Sequence, residues 1–413
     1  MKEAEAGEGK SESGERHFSI SSAHARGGPK GGFRNHGLCI CAIQTLESST
    51  DHIVSQSQLP EVAAPLEIHF AGAATQSPSE SKFVAQSSAG ASFTSAILVI
   101  EELAKVDPSV SVLCDVHNTL VNTILRHYAT PELREKYMPQ LSADKLGSFC
   151  LSEPNSGSDA FALKTTATKS ADGSHYVING SKSWITNSAE AGLFLVFATS
   201  DASKGYKGIS CFLVEKEMGV EIAKKEKKLG IRASSTCTLN FDNVKVPAAN
   251  LIGEEGKGYK IAIEILNEGR VGIAGQMVGL AQGAFNKAVP YTFQRQQFGQ
   301  AVGSFQGMQM QFAEIATEIE AARLLTYNAA RLKEEGQPFT KQAAMAKWYA
   351  SVVAQKASGA AIEWAGGVGF TREVGIEKFW RDSKIGAIYE GTSNIQLLTI
   401  GELGDKRQIG DVQ

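Results

Sequence analysis

The sequence predicts an α+β fold in three parts: a helical N-terminal remnant, an antiparallel β-domain in the middle and a C-terminal bundle of long helices. Three observations predict this order. Apolar residues recur at helical spacing between Phe93 and Tyr137. Strand-like runs with turn residues follow from about Gly147. Long helical patterns with short connections begin near Gly258, which is typical of an antiparallel helix bundle.

Residues 1–89 show no such periodicity. They are rich in Ser, Gly, Ala and Glu, a composition that predicts a disordered or loosely packed extension. The first 16 residues carry five Glu against three basic residues. They therefore lack the Arg-rich, acid-poor character of an organelle transit peptide.

Three helices are predicted between this extension and the β-domain. Ile97 and Ala104 lie on one face of the first helix. Asp107-Pro108 is an N-cap followed by Pro at the first helical position, so it begins the second helix, and Thr130-Pro131 repeats that signal for the third. The apolar face of the second helix continues through Val112, Val116, Leu120 and Ile124.

Four strand-like runs are predicted in the middle domain, at 175–178, 193–198, 209–214 and 236–241. The last run alternates, with Cys237, Leu239 and Phe241 on one side. Asp172-Gly173 and Asn179-Gly180 are turn signals, which predict short connections between strands.

Two long helices are predicted in the C-terminal part. The first ends at Gly336 and Pro338, and the second runs from about Thr340 to Trp364. The amphipathic face of the first consists of Met308, Phe312, Ile315, Ile319 and Ala322.

Composition excludes several classes of function. The net charge of −3 over 413 residues gives no reason to expect a nucleic-acid partner, and no apolar run reaches the length of a membrane span. The six Cys are scattered, which favours a reducing compartment without a disulfide framework. No HExxH, CxxC or spaced Cys/His set is present, so a metal site is not expected.

Glu390 is the candidate for acid–base chemistry. It lies on Tyr389-Glu390-Gly391, between apolar residues and a glycine that permits a sharp turn. All eight His lie at or before His175 and all six Cys at or before Cys237, so a proton-abstracting group beyond them must be a carboxylate, Lys or Tyr. A desolvated Glu serves as a general base, but a Glu on a surface loop beside a helix cap fits the same heptapeptide.

Three further groups suit ligand binding, each with an ordinary structural alternative. The Ser- and Asn-rich loop from Phe149 to Asp159 suits a phosphate or is a simple turn. Trp184 suits stacking on a planar ring or is a core Trp. Arg270 and Arg295 suit phosphate or carboxylate oxygens or are surface salt-bridge partners. No Walker motif and no strand-linked GxGxxG is present.

Taken in order, these stretches resemble the acyl-CoA dehydrogenase family of flavoproteins, and most closely its short/branched-chain members. The resemblance runs from about Gly90 to Ile400. It rests on VIEELAKVD, GSFCLSEPNSGSD, LGIRASSTC, LNEGR and SKIGAIYEGTSN. It divides the chain into an extension 1–89, a partial N-terminal helical domain 90–146, a middle β-domain 147–253, a C-terminal four-helix bundle 254–400 and a divergent tail 401–413.

The resemblance implies an FAD enzyme, a homotetramer with the cofactor partly against a neighbouring subunit, and electron-transfer flavoprotein as the electron acceptor in the mitochondrial matrix. It implies that the flavin is held by Phe149, Cys150, Leu151, Ser152, Glu153, Pro154, Asn155, Ser156, Gly157, Ser158, Trp184, Ile185 and Thr186, the last near N5. It implies that the adenosine–pyrophosphate end is held by Arg295, Gln306, Glu363, Trp364, Ala365, Gly366, Gly367, Thr392, Ser393 and Asn394.

The same resemblance implies an acyl-CoA substrate, short and either straight or 2-methyl-branched, and Glu390 as catalytic base. The implied substrate contacts are Ser158, Tyr206, Tyr259, Asn267, Glu268, Gly269, Arg270 and Gly391. Isovaleryl-type relatives place the base immediately before the Arg, where this chain has Gly269, and Glu268 should point elsewhere on the helix. An acyl-CoA oxidase and an inactive partner that retains the fold are the alternatives, the second because residues 1–89 depart from the family.

Overall fold

The computed structural model of the chain describes residues 92–410, with side chains described as far as Leu403. The predicted extension 1–89 lies outside the described residues. Four α-helices precede the β-domain: α1 (Phe93–Val106), α2 (Pro108–Asp115), α3 (Thr123–Tyr128) and α4 (Pro131–Ala143). Asp107 accepts a hydrogen bond from Ser109 N at 2.7 Å, and Thr130 accepts one from Leu133 N at 3.4 Å, which confirms both predicted caps.

The second predicted helix is continuous but changes its geometry. A π-helix, Val116–Asn122, lies between α2 and α3. Two hydroxyls bond to carbonyls beside this segment: Thr119 Oγ1 donates to Asp115 O at 2.8 Å and Thr123 Oγ1 to Asn118 O at 3.2 Å. Such side-chain bonds compete with the regular helical pattern, and π-turns are frequent at functional sites.

The middle domain contains one eight-stranded sheet. Its strands are β1 (Gly147–Cys150), β2 (Thr166–Lys169), β3 (His175–Thr186), β4 (Leu193–Thr199), β5 (Ile209–Glu215), β6 (Glu221–Lys225), β7 (Thr236–Pro247) and β8 (Leu251–Ile252). They are arranged in the order β6-β7-β3-β2-β4-β5-β8, with β1 also paired to β4. The predicted antiparallel pairing holds for most neighbours, but β1 and β2 each pair with β4 in parallel.

Strand β4 joins two hydrophobic cores because both of its faces are buried. Phe194 and Val196 pack in the core of the β-domain. Leu195 and Phe197 point to the other face and join the core shared with the helices. The helical elements therefore pack against one face of the sheet.

The prediction that Asn179-Gly180 connects two strands was wrong. Both residues lie inside β3, where the pairing register with β7 shifts between Ile178 and Gly180. Gly180 has φ 148°, and a Cβ there would lie 2.5 Å from Thr165 Oγ1. The glycine is needed for this bulge and close approach rather than for a hairpin turn.

The C-terminal part contains four long helices: α5 (Gly258–Gln294), α6 (Gln306–Glu334), α7 (Thr340–Ala365) and α10 (Ser393–Gly410). The second of the two long helices predicted in the C-terminal part corresponds to α7. Shorter elements that were not predicted connect them: a hairpin of β9 (Gln296–Gln297) and β10 (Gln300–Ala301), α8 (Gly367–Phe370), α9 (Ile376–Ser383) and a 3-10 turn (Lys384–Ala387). Within residues 92–410, no helix combines the length and the apolarity that crossing a membrane requires.

A row of glycines lets α5 contact α1 closely. Cβ atoms at Gly279 and Gly283 would lie 2.1 Å from Glu101 O and 2.2 Å from Lys105 O, so side chains at these positions would overlap the α1 backbone. The same row continues towards the N-terminal end of α5 with Gly272 and Gly269. Cβ atoms at these two positions would lie closest to carboxyl groups rather than to the backbone of α1.

Candidate active site

Glu390 lies on a turn of unusual backbone conformation between the 3-10 turn and α10. Glu390 has φ 51° and Gly391 has φ 85°. A left-handed conformation at a residue with a side chain costs energy and persists only where neighbouring contacts fix it. Gln396 Nε2 supplies two of these contacts, to Glu390 O at 3.0 Å and to Gly391 O at 2.9 Å. Thr392 Oγ1 accepts from Ile395 N at 3.4 Å, so Thr392, Ser393 and Asn394 begin a helix.

The Glu390 side chain is partly buried, and one of its carboxylate oxygens is enclosed. Its Oε2 atom is buried and has no hydrogen-bond partner among the described residues. Burial raises the pKa of Glu390 to about 7, against the opposing effects of the Lys347 ammonium and the Arg270 guanidinium. The surface-loop alternative is therefore excluded, and the group has the proton affinity of a general base at neutral pH.

Gly269 on α5 faces this carboxylate. A Cβ at Gly269 would lie 2.9 Å from Glu390 Oε2 and 3.1 Å from Leu120 Cδ2 on the π-helix. The carboxylate thus occupies the space that a side chain at position 269 would need. Glu268, the neighbouring acid, forms an ion pair with Lys333 at 3.3 Å on α6, in agreement with the expectation that it points elsewhere.

Arg270 and Tyr389 complete the surroundings of the base. Arg270 Nη1 donates to Asn267 Oδ1 at 3.1 Å, while its Nε atom is buried without a partner in the described part of the chain. The Tyr389 hydroxyl donates to Gln276 Oε1, and Gln276 Nε2 donates to Pro108 O at 2.6 Å. These bonds tie the segment that carries the base to the start of α2.

The loop after β1 divides into buried and exposed residues. Leu151 and Glu153 are buried, as is Cys150 at the end of β1. Glu153 Oε1 accepts from Lys182 Nζ at 2.7 Å and its Oε2 accepts from Lys164 N at 2.7 Å, which holds the loop from inside. Ser156 is buried too, whereas Pro154, Asn155, Gly157 and Ser158 are exposed.

Trp184 is next to this loop, because Ser183 N donates to Ser152 O at 2.9 Å. Its indole is 64% exposed and its backbone has φ 64°, at the second bulge of β3. The core-Trp alternative is therefore wrong. Ile185 points into the core, and Thr186 O accepts from Ser148 Oγ at 2.8 Å. Two of the predicted cofactor segments thus come together on one surface.

Apart from Thr392, Ser393 and Asn394, which follow the Glu390 turn, the remaining cofactor candidates lie at the far end of the bundle. Gly269 and the last residue of α5, Gln294, are about 37 Å apart along the helix axis, and Arg295 follows with an exposed side chain. Trp364, on the last turn of α7, is buried 4.8 Å from the ring of Phe312 and is therefore a core residue. Ala365 is also buried, whereas Gln306, Glu363, Gly366 and Gly367 are exposed.

The predicted substrate contacts Tyr206 and Tyr259 pack against each other at the start of α5, and Tyr259 also lines a cleft there. Their ring centroids are 5.1 Å apart in an edge-to-face arrangement. The cleft has a volume of about 570 Å³ and is lined by Ser200, Asp201, Lys204, Lys207, Gly208, Glu255, Gly256, Lys257 and Tyr259. Three lysines and two acids line it, and Lys204 pairs with Asp201 at 2.8 Å. Within the described residues, no group of three metal-ligating side chains comes together.

Comparison with known proteins finds three domain models of one family in this order along the chain. Models of the acyl-CoA dehydrogenase N-terminal, middle and C-terminal domains match residues 85–145, 148–244 and 256–403. The chain belongs to the acyl-CoA dehydrogenase family. The rat mitochondrial short/branched chain specific acyl-CoA dehydrogenase is 59% identical over 313 residues, which cover 76% of this chain and 72% of the rat protein.

Two solved structures of acyl-CoA dehydrogenases support this assignment. Butyryl-CoA dehydrogenase from Megasphaera elsdenii is 44% identical, with a TM-score of 0.74, over 76% of this chain and 82% of that one. An acyl-CoA dehydrogenase from Bacillus anthracis complexed with FAD is 34% identical, with a TM-score of 0.73, over 78% of this chain and 58% of that one.

Asp115 is a residue of this acyl-CoA dehydrogenase that sequence reasoning missed. It is buried at the end of α2 and accepts from Thr119 Oγ1 at 2.6 Å. A Cβ at Gly272 would lie 2.2 Å from Asp115 Oδ1, one helical turn beyond the Gly269 position that faces Glu390. Burial, with a smaller contribution from the nearby Glu390 charge, raises the pKa of Asp115 to about 8 against the opposing effect of the Thr119 hydrogen bond. The available signal was an acid inside the apolar run Val112-Leu113-Cys114-Asp115-Val116.

We expect Asp115→Asn to stabilise the fold at neutral pH. Folded Asp115 binds its proton more tightly than the unfolded chain does, so its contribution to the free energy of unfolding falls as the pH rises from about 4 towards 8. The substitution removes a penalty on the order of 4 kcal/mol at pH 7. Urea unfolding at pH 4.5 and pH 7.5, with exposed Asp144→Asn as the control, measures it. A gain that is the same at both pH values would contradict the account of Asp115.

Proposed function

We propose that the chain catalyses the FAD-dependent α,β-dehydrogenation of short straight or 2-methyl-branched acyl-CoA to the 2-enoyl-CoA. The observation that carries the proposal is the buried Glu390 carboxylate, which has an unpartnered oxygen and a pKa of about 7 and lies against Gly269. A desolvated carboxylate with a raised proton affinity suits removal of a weakly acidic proton next to a thioester. The identity to the rat enzyme supports the choice of acyl group.

The residues around Trp184 fit a flavin. An exposed indole offers a flat surface for a planar ring, and the exposed Asn155, Gly157 and Ser158 offer amide, hydroxyl and backbone N–H donors for a pyrophosphate. Nothing lies within 4 Å of a Cβ built on Gly157, so the loop is open at this point. When bound, the flavin supplies the redox chemistry, because it accepts the β-hydrogen with its electron pair.

The chain's own residues supply binding and proton transfer. Glu390 accepts the α-proton, and the electron pair of the broken C–H bond becomes the new α,β double bond as the β-hydrogen leaves. The backbone N–H of Glu390 is a donor for the thioester carbonyl, where negative charge develops. The cleft at Tyr206 and Tyr259, with its lysines, suits the nucleotide end of CoA. Arg270, with its unpartnered Nε, is a further contact.

A substrate panel tests the proposed function. FAD-loaded protein is assayed with butyryl-, 2-methylbutyryl-, isovaleryl- and octanoyl-CoA, once with an artificial electron acceptor and once with oxygen alone. We expect the 2-enoyl-CoA product from the four-carbon and 2-methyl-branched substrates with the artificial acceptor. Turnover with oxygen alone would indicate an acyl-CoA oxidase, and no product from any thioester would indicate an inactive partner.

We propose further that the protein works as a homotetramer, in the mitochondrial matrix, with electron-transfer flavoprotein as acceptor. The name of the rat relative supports the compartment. The separation of Glu390 from Arg295 supports the assembly, because about 37 Å of helix lies between Gly269, which faces the proposed base, and Arg295, the predicted pyrophosphate contact. In this proposal Arg295 and Gln306 serve the cofactor of another subunit. Phe298, 94% exposed on the β9–β10 hairpin, gives this end an apolar surface for a neighbour.

We expect Arg295→Ala to weaken FAD retention and tetramer assembly together. Removing a charge-assisted contact to a pyrophosphate costs about 2–4 kcal/mol. Flavin content and light-scattering mass are the measurements. Arg331→Ala is the matched control, because the Arg331 side chain is 55% exposed and pairs with Glu335, four residues later, at 2.7 Å. Normal flavin content and mass in Arg295→Ala would mean that Arg295 is a surface residue without this role.

A further inference from the structure

Lys347 on α7 is a fully buried lysine, and the reaction described above does not use it. Its neighbours on the same helix include the buried Ala343, Ala346 and Ala350. Burying an ammonium group in such surroundings is costly unless it is paired, so its position requires a compensating interaction. Nζ of Lys347 donates to Gly391 O at 2.6 Å, directly after the proposed base.

This contact belongs to a set that fixes the backbone on both sides of Glu390. One turn after Lys347 on α7, Ser351 Oγ donates to Gly386 O at 2.8 Å. Gln396 on α10 donates to the Gly391 carbonyl from the other direction at 2.9 Å. The left-handed pair Glu390 and Gly391 is therefore held between two helices. Lys347 is the one member of this set that also carries a charge.

The charged and titratable groups around Glu390 come from four elements. Lys347 lies on α7, Arg270 on α5, Asp115 at the end of α2 and Tyr389 on the segment of the base itself. Burial lowers the pKa of Lys347 to about 7, whereas the Glu390 carboxylate raises it. Lys347 and Arg270 both lower the pKa of Glu390 against the effect of burial, and Lys347 lowers it more. The two buried charges thus stabilise each other.

We propose that Lys347 is a positioning residue for the reaction: it anchors the Glu390 turn through the Gly391 carbonyl and supplies the positive charge that keeps Glu390 ionised before proton transfer. The inference rests on the proposed role of Glu390 as base. The Lys347 side chain has two separate effects. Its hydrogen bond to Gly391 anchors the turn, which a neutral donor also does, whereas its positive charge acts on Glu390, which a neutral donor does not. Gln396, a neutral donor to the same carbonyl, is the natural comparison.

The test compares Lys347→Met with Gln396→Leu in FAD-loaded protein. The readouts are the pH midpoint of flavin reduction by 2-methylbutyryl-CoA and the rate of backbone hydrogen exchange over residues 389–396. We expect Lys347→Met to move the midpoint upward by about one to three pH units, to slow reduction at pH 7 about tenfold or more, and to speed exchange. Gln396→Leu should speed exchange and leave the midpoint in place. Lys347→Gln is the second variant if Lys347→Met does not fold, and it should move the midpoint in the same direction.

The outcomes distinguish this inference from the proposed function. If Glu390→Gln is inactive but the Lys347→Met midpoint equals that of the wild type, Lys347 supplies no effective charge and the inference is overturned. If both Lys347→Met and Gln396→Leu move the midpoint equally, the effect comes from anchoring alone, which also overturns it. If Glu390→Gln keeps its activity, the proposed function fails independently of Lys347.

Discussion

Replacing Glu390 with Gln is expected to leave a folded, FAD-containing protein that dehydrogenates acyl-CoA more slowly by a factor on the order of 10²–10⁴ or more. Gln keeps the size of the side chain and the backbone turn, so packing around Gly269 changes little. It cannot accept the α-proton. The C-terminal part of the chain has no His or Cys that could replace it. Steady-state turnover with 2-methylbutyryl-CoA, together with flavin content and melting temperature, measures the effect.

Glu268→Gln is the matched control for this prediction. It changes a carboxylate to an amide only two positions from Arg270, but the Glu268 side chain pairs with Lys333. We expect turnover of Glu268→Gln to stay far closer to the wild type than that of Glu390→Gln. The opposite ranking would mean that the base has been placed on the wrong carboxylate.

Gly269→Ala is expected to reduce turnover about 100-fold with little loss of stability. The added Cβ would lie 2.9 Å from Glu390 Oε2 and 3.1 Å from Leu120 Cδ2. Both atoms are ends of flexible side chains, so the structure can yield locally, but the carboxylate must move. A displacement of about 1 Å in a reacting group is enough for a rate loss of this size. Turnover and urea unfolding of the same preparations are the measurements.

Alanine substitutions at two other glycines are the controls for Gly269→Ala. Gly279→Ala on the same helix would place its Cβ 2.1 Å from Glu101 O, a backbone atom, so it should lower stability. Gly401→Ala has no heavy atom within 4 Å and should change neither property. If Gly269→Ala unfolds as readily as Gly279→Ala, or turns over as fast as Gly401→Ala, the described packing of Glu390 on α5 is incorrect.

The parts of the fold that local sequence determines were predictable. Asp107 and Thr130 each accept a hydrogen bond from a backbone N–H two or three residues later, so their caps depend on neighbours in sequence. The alternation in β7 depends on one buried face, and Cys237 and Leu239 are indeed buried. Parallel pairing of β1 with β4 joins residues 46 positions apart, Gly147 and Leu193, and no local pattern encodes it.

Prediction of the candidate site from the sequence has the same limit. The absence of His and Cys beyond Cys237 narrowed the proton acceptor to a carboxylate, Lys or Tyr, since that argument needs only composition. Whether Glu390 is buried depends on Gly269, Lys347 and Gln396, which lie on three different helices. For the same reason Asp115 and Lys347 were not found, because each looks like an ordinary helix residue until α5 and the Glu390 turn are packed around it.

The most direct test of the account is anaerobic mixing of the FAD-loaded protein with 2-methylbutyryl-CoA across a series of pH values, with loss of the yellow flavin colour as the signal. We expect the wild-type protein to bleach at a rate that rises through about pH 7 as Glu390 ionises, and we expect Glu390→Gln to bind the thioester without bleaching. Bleaching of Glu390→Gln at close to the wild-type rate would show that Glu390 is not the base and would contradict the account.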